Sequence, residues 1–84
     1  MRRLQTEADA CYSWSNAAGY RYAAHRHSYR KILYCVSGSI RFDLDEDGRQ
    51  IEMSAGDRLD LPPGTLHSAL VGAGGVTCIE GQGR

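Results

Sequence analysis

The stretch "SIRFDLDEDGRQIEM", Ser39 to Met53, leaves this chain little choice but β-sheet. Ile40, Phe42 and Leu44 alternate with Arg41, Asp43 and Asp45, so one face of an extended strand is apolar and the other charged. "EDGR" then supplies an Asp-Gly turn, and Ile51 and Met53 resume the alternation on a return strand. A helix needs apolar residues every three or four positions, and this pattern lacks them.

The rest of the chain reads the same way. Tyr20 to His27 alternates large and small residues, and Ile32 to Val36 is an apolar run that ends at "SGS". "SAGD" turns the chain before Arg58 to Leu61, and "PPGT" breaks the ladder because proline donates no sheet hydrogen bond. His67 to Val71 and Val76 to Glu80 form a last pair around "GAGG", read as a hairpin turn. Gln5 to Ala10 allows one helical turn at most. Six to eight short strands imply an all-β sandwich or barrel.

Eighty-four residues make one domain. A chain of this size buries only about 60–65% of the surface its unfolded form exposes, and a metal or a partner chain commonly makes up the deficit. Ten basic residues balance ten acidic ones without a basic stripe, which argues against nucleic acid. No apolar run follows Arg2 and Arg3, so neither a signal peptide nor a membrane span is expected, and the cytoplasm is the expected address. Cys11, Cys35 and Cys78 are odd in number and form no paired motif, so they do not suggest a disulfide framework. Cys35 and Cys78 read as small core hydrophobes, although Cys35 shares the parity of Lys31.

Three histidines carry the chemistry. His25 and His27 stand one residue apart, so a strand would project both to one face, about 6.6 Å apart along its axis. His67 follows "LPPGT", whose prolines and Gly64 form a rigid turn able to aim the next strand inward. Three imidazoles from two strands are a metal-ligand set, with bonds of roughly 2.0–2.1 Å. Zn, Ni, Cu, Mn and Fe(II) all suit such donors. Arg21 shares parity with both histidines and would reach a substrate carboxylate from that face, or else cap the rim in solvent. Trp14 reads as a packing anchor, not a ligand-stacking residue. Tyr29 and Tyr34 read as packing residues, and Glu52 and Asp60 as water-facing.

These residues resemble the cupin family. Gly19, His25-Arg26-His27, Lys31 and Gly38 fall at the spacing of its first motif, G-x5-H-x-H-x3-E-x6-G. Gly56, Pro62-Pro63-Gly64 and His67 fall at that of its second, G-x5-P-x-G-x2-H-x3-N. The resemblance implies a double-stranded β-helix (jelly-roll) barrel over residues 19–84, with residues 1–18 packing on the barrel or on a partner. It also implies a divalent metal in the barrel mouth, held by His25, His27 and His67, and a homodimer. Two positions depart from the pattern. Lys31 occupies the place of the metal-binding glutamate, and Val71 that of the terminal asparagine.

Lys31 poses the problem. An ammonium ~5 Å from a divalent ion, at an effective dielectric of ~20, is repelled by about 7 kcal/mol. Four outcomes follow. Lys31 swings to solvent, leaving a three-histidine site; it loses its proton and acts as a base; it stays charged and pairs with an anionic substrate; or no metal binds and the histidines and lysine hold an anion. On the Coulomb comparison the swing to solvent is the least costly. The functional expectation is a metal-binding cupin acting on a small, oxygen-rich metabolite, with a non-catalytic sugar- or anion-binding module as the alternative. A purely structural metal staple fits less well, because such sites are normally closed by four protein ligands.

Overall fold

A computed structural model describes residues 8–83. The alternation that opens the sequence becomes burial: Ile40, Phe42 and Leu44 are buried, while Arg41 and Asp43 stay part-exposed. Six strands form, β1 (Ala8–Asn16), β2 (Arg21–His25), β3 (Lys31–Leu44), β4 (Arg49–Ser54), β5 (Arg58–Leu61) and β6 (His67–Gly83). The β3–β4 hairpin sets Phe42 opposite Ile51 and Ile40 opposite Met53. Its turn closes through Gly48 N–H donating to Leu44 O at 2.9 Å, with Gly48 at φ 76°. The single helical turn that Gln5–Ala10 allowed falls partly outside the described residues, and Ala8–Ala10 belongs to β1.

Two expected breaks are absent. "SGS" does not end a strand and "GAGG" is not a hairpin turn, since β3 and β6 run through them and pair antiparallel along their lengths. Instead the ladder slips register between Cys35 and Ser37 and again between Gly38 and Ile40. Bulges of this kind bend strands and carry them from one sheet to another. Gly38 and Gly75 both adopt φ 75°, and a Cβ on Gly38 would collide with the Gly75 carbonyl oxygen. Only glycine allows that approach.

Each long strand therefore serves two half-sheets. The Val76–Gly83 half of β6 lies between β1 and β3, whose Lys31–Tyr34 segment also pairs with β5. The His67–Val71 half pairs with β2 and with the Ile40–Leu44 half of β3, which pairs in turn with β4. One apolar cluster joins the halves, with Leu33, Cys35 and Cys78 packed with Phe42, Met53 and Val71. Ile32 points the other way and forms a second cluster with Ala8, flanked by Cys11, Tyr34 and Ile79. Burying a side chain such as Leu33 or Ile32 completely contributes roughly 1.5–3 kcal/mol. Glu52 and Asp60 are exposed, as expected. Among the described residues, no helix is long and apolar enough to cross a membrane.

Candidate metal centre

The β2–β6 ladder places His25 directly opposite His67. His27 lies just beyond β2, where its carbonyl accepts the Gly64 N–H at 2.7 Å. The proline turn is thus tied to the histidine segment and sets where β6 begins. Ring centroids are 4.4 Å apart for His25 and His67, 4.8 Å for His25 and His27, and 5.4 Å for His27 and His67. One nitrogen from each ring lies within 4.8 Å of the others, somewhat more than twice a bond of about 2.0–2.1 Å.

The protons are positioned for ligation. Nδ1 of His25 is 2.8 Å from Ala23 O, and Nδ1 of His67 is 2.9 Å from Thr65 O. A carbonyl only accepts, so each Nδ1 carries the proton and each Nε2 keeps its lone pair. Nε2 of His27 and of His67 are buried and, among the described residues, have no hydrogen-bond partner. Leaving such a buried acceptor unpaired costs about 1–3 kcal/mol, which an ion would recover. Burial lowers the pKa of His27, and the Lys31 charge lowers it further. Burial likewise lowers that of His67, against a raising hydrogen bond to Thr65, with His25 and Lys31 adding to the fall. Both shifts favour the neutral ring, the form that binds metal.

A model of the cupin domain matches residues 15–79. The chain belongs to the cupin domain family. An RmlC-like cupin from Shewanella frigidimarina superposes with a TM-score of 0.75 at 23% identity, over 87% of this chain and 63% of that one. KdgF from a Halomonas species gives 0.71 at 23%, over 88% and 68%. A variant oxalate decarboxylase from Bacillus subtilis gives 0.76 at 25%, over 98% of this chain and 23% of that one. The uncharacterized HTH-type transcriptional regulator YobQ of Bacillus subtilis is 37% identical over 46 residues, 55% of this chain and 18% of the regulator.

In this cupin Lys31 does not swing to solvent. It is buried, 7% exposed, with its Nζ 3.3 Å from Oε1 of Glu80. Leu33 pairs with Glu80 across β3 and β6, and Lys31, two residues before Leu33, shares its face, so the two charges meet on a diagonal. At an effective dielectric of ~20 that separation gives a gross attraction of about 5 kcal/mol. Glu80 makes burial of the ammonium tolerable and offsets part of its charge. At His27 the effect of Lys31 still outweighs that of Glu80, so the cavity keeps a positive side.

Glu80 is held from the other side by β1. Trp14 Nε1 donates to its Oε1 at 2.6 Å and the Tyr12 hydroxyl donates to its Oε2 at 2.9 Å. The Tyr12 hydroxyl is pushed well above the usual phenol range, by desolvation first and then by the Glu80 bond. Lys31, Glu80 and the three histidines line one cavity of about 280 Å³, walled by Trp14, Tyr22, Phe42 and Ala69. Trp14 packs against the core, as expected, and also stands in the cavity wall. Tyr29 packs on His27 with centroids 4.9 Å apart, and Tyr34 packs by Ile32 and accepts from Arg58 at 2.9 Å.

Arg21 is exposed and does not line the cavity. The β2–β6 register shifts between Tyr22 and His25, so parity inverts and Tyr22 takes the inward place. Cys35 joins the core instead of the cavity. Sequence reasoning missed Glu80, although Val76, Cys78 and Glu80 alternate and the first two are apolar. That alternation already placed a carboxylate on the inner face.

Proposed function

We propose that this cupin binds one divalent transition metal (Zn, Ni, Fe, Mn or Cu) through His25, His27 and His67 and takes a small oxygen-bearing molecule in the adjoining cavity. The observation that carries this reading is the pair of buried, partnerless Nε2 atoms on His27 and His67 beside the third histidine. When bound, the ion supplies a Lewis acid with coordination positions that three protein ligands leave open. The chain's own residues do the rest. Ala23 and Thr65 carbonyls orient the rings, Lys31 and Glu80 hold opposite charges in the wall, and the aromatic side chains form its apolar part.

The test is elemental mass spectrometry of untagged protein purified without chelator, beside His67→Ala. About one ion per chain, lost in the variant, supports the site. A chain that is empty and refuses added metal overturns it.

A second reading is a non-catalytic binding module for a sugar or anion, favoured by the partial similarity to a protein named as a transcriptional regulator. A ligand that raises thermal stability and is recovered unchanged supports the module, and turnover supports an enzyme. We also infer a homodimer through the face opposite the cavity. Tyr34 and Ile79 are half-buried there, and Val36, of the same parity as Ile32, is 54% exposed. Sedimentation at twice the chain mass would support it, and a monomer at high concentration would not.

A further inference from the structure

The polar atoms of the cavity are mostly spent inside the protein. Glu80 Oε1 accepts from Trp14 and faces Lys31, and Oε2 accepts from Tyr12. The Tyr22 hydroxyl accepts from Asn16, and Nδ1 of His25 and His67 are turned to backbone carbonyls. What remains for a ligand is the lone pairs of the histidines, or an ion on them, the ammonium of Lys31, and the O–H of Tyr22, which accepts from Asn16 but is still able to donate. That ammonium has three N–H donors, and among the described residues Glu80 is its ion-pair partner. The remaining wall is ring faces and methyl groups, from Trp14, Tyr22, Phe42 and Ala69.

Such a cavity discriminates by what it leaves unpaired. A sugar or other polyol would lose water from several hydroxyls and find no donor or acceptor for most of them. A carboxylate needs donors and positive charge only, which Lys31 supplies. An apolar body attached to it meets aromatic and methyl surface. A cavity of the order of 150 Å³ holds a benzene ring, and this one of about 280 Å³ leaves room for a ring and its carboxylate.

We propose that the ligand of this cavity is a small carboxylate with an apolar, planar body, anchored by the Lys31 ammonium while Trp14, Tyr22 and Phe42 enclose the body. The proposal rests on the reading of the histidine cavity as the ligand site and narrows its ligand from oxygen-rich molecules in general to apolar acids. Glu80 is a positioning residue, since it holds Lys31 in the wall and out of solvent.

The test is calorimetric titration of zinc-loaded and EDTA-dialysed protein with benzoate, benzyl alcohol and gluconate. Benzoate is expected to bind at least tenfold tighter than either, because the alcohol lacks the charge and gluconate lacks the apolar body. Lys31→Met combined with Glu80→Gln removes the ammonium without stranding a buried carboxylate. Its benzoate affinity should fall at least tenfold while circular dichroism and zinc stoichiometry are unchanged. Gluconate matching benzoate, no benzoate binding, or a benzoate preference that survives in the double variant each overturns the proposal. If the double variant does not fold, the three-ligand comparison on the natural chain decides. No bound zinc with the benzoate preference intact sinks the metal reading and leaves this one standing. One zinc per chain without that preference does the reverse.

Discussion

Lys31 and Glu80 meet at 3.3 Å across β3 and β6, each nearly excluded from water. A lysine at the position where cupins of this motif carry a ligand glutamate is accommodated in the buried wall because a carboxylate from another strand pairs with it. The pair makes a test of its own. Lys31→Met alone leaves a buried, uncompensated carboxylate and should cost about 3–5 kcal/mol of stability. Adding Glu80→Gln should restore most of that loss, because glutamine still accepts from Trp14. Urea unfolding of the two variants measures the coupling, and equal stabilities would mean that the pair is not formed.

Stability of the metal-free protein should fall with acidification. His27 and His67 have folded-state pKa values below the ordinary 6.5, chiefly through burial. Between the folded and unfolded values the unfolded chain binds more protons, so stability rises with pH across that window. It is therefore complete above about 6.5 and lost as pH falls through the lowered values. Melting temperatures from pH 8 to pH 5 report this, and a flat profile would contradict it. Metal should be released over the same range, since protons compete for the same nitrogens.

Gly38→Ala should be severely destabilising. The left-handed conformation alone costs roughly 1–2 kcal/mol in a residue with a Cβ. The collision with the Gly75 carbonyl adds roughly 1–3 kcal/mol of overpacking. Gly48→Ala is the matched control: Gly48 has φ 76° and open space around its missing Cβ, so only the first cost applies. Denaturant midpoints of the two variants should differ accordingly, and similar values would remove the close approach as the reason for glycine at 38.

Cys35 and Cys78 should resist alkylation in the folded chain at pH 8. Burial pushes the Cys78 thiol up to about 12, and it raises that of Cys35 as well. Thiolate is the reactive form, so iodoacetamide should modify both only after unfolding. Peptide mass spectrometry distinguishes the sites. Rapid labelling of either in native buffer would mean that β3 and β6 separate locally.

Much of this was legible in the residues themselves. Period-2 alternation at Ile40, Phe42 and Leu44 specified strand and inner face together, because a strand's side chains can only alternate. Fixed motif spacing marked His25, His27 and His67, and the β2–β6 ladder brings them together. The same parity rule failed at Arg21, because a bulge shifts the register and local sequence does not announce it. Likewise "GAGG" and "SGS" look like ordinary turns until the two long strands are paired.

The sequence by itself determined the buried face of β3 and β4 and which three side chains would come together as candidate metal ligands, since those depend on short-range periodicity and residue chemistry. Only the tertiary structure decided the electrical character of the site. Lys31 and Glu80 lie 49 positions apart, and β1 adds Tyr12 and Trp14 from still another part of the chain. A charge is tolerated in a cavity only by the partner it meets there, and that meeting is a property of strand pairing, which no local pattern encodes.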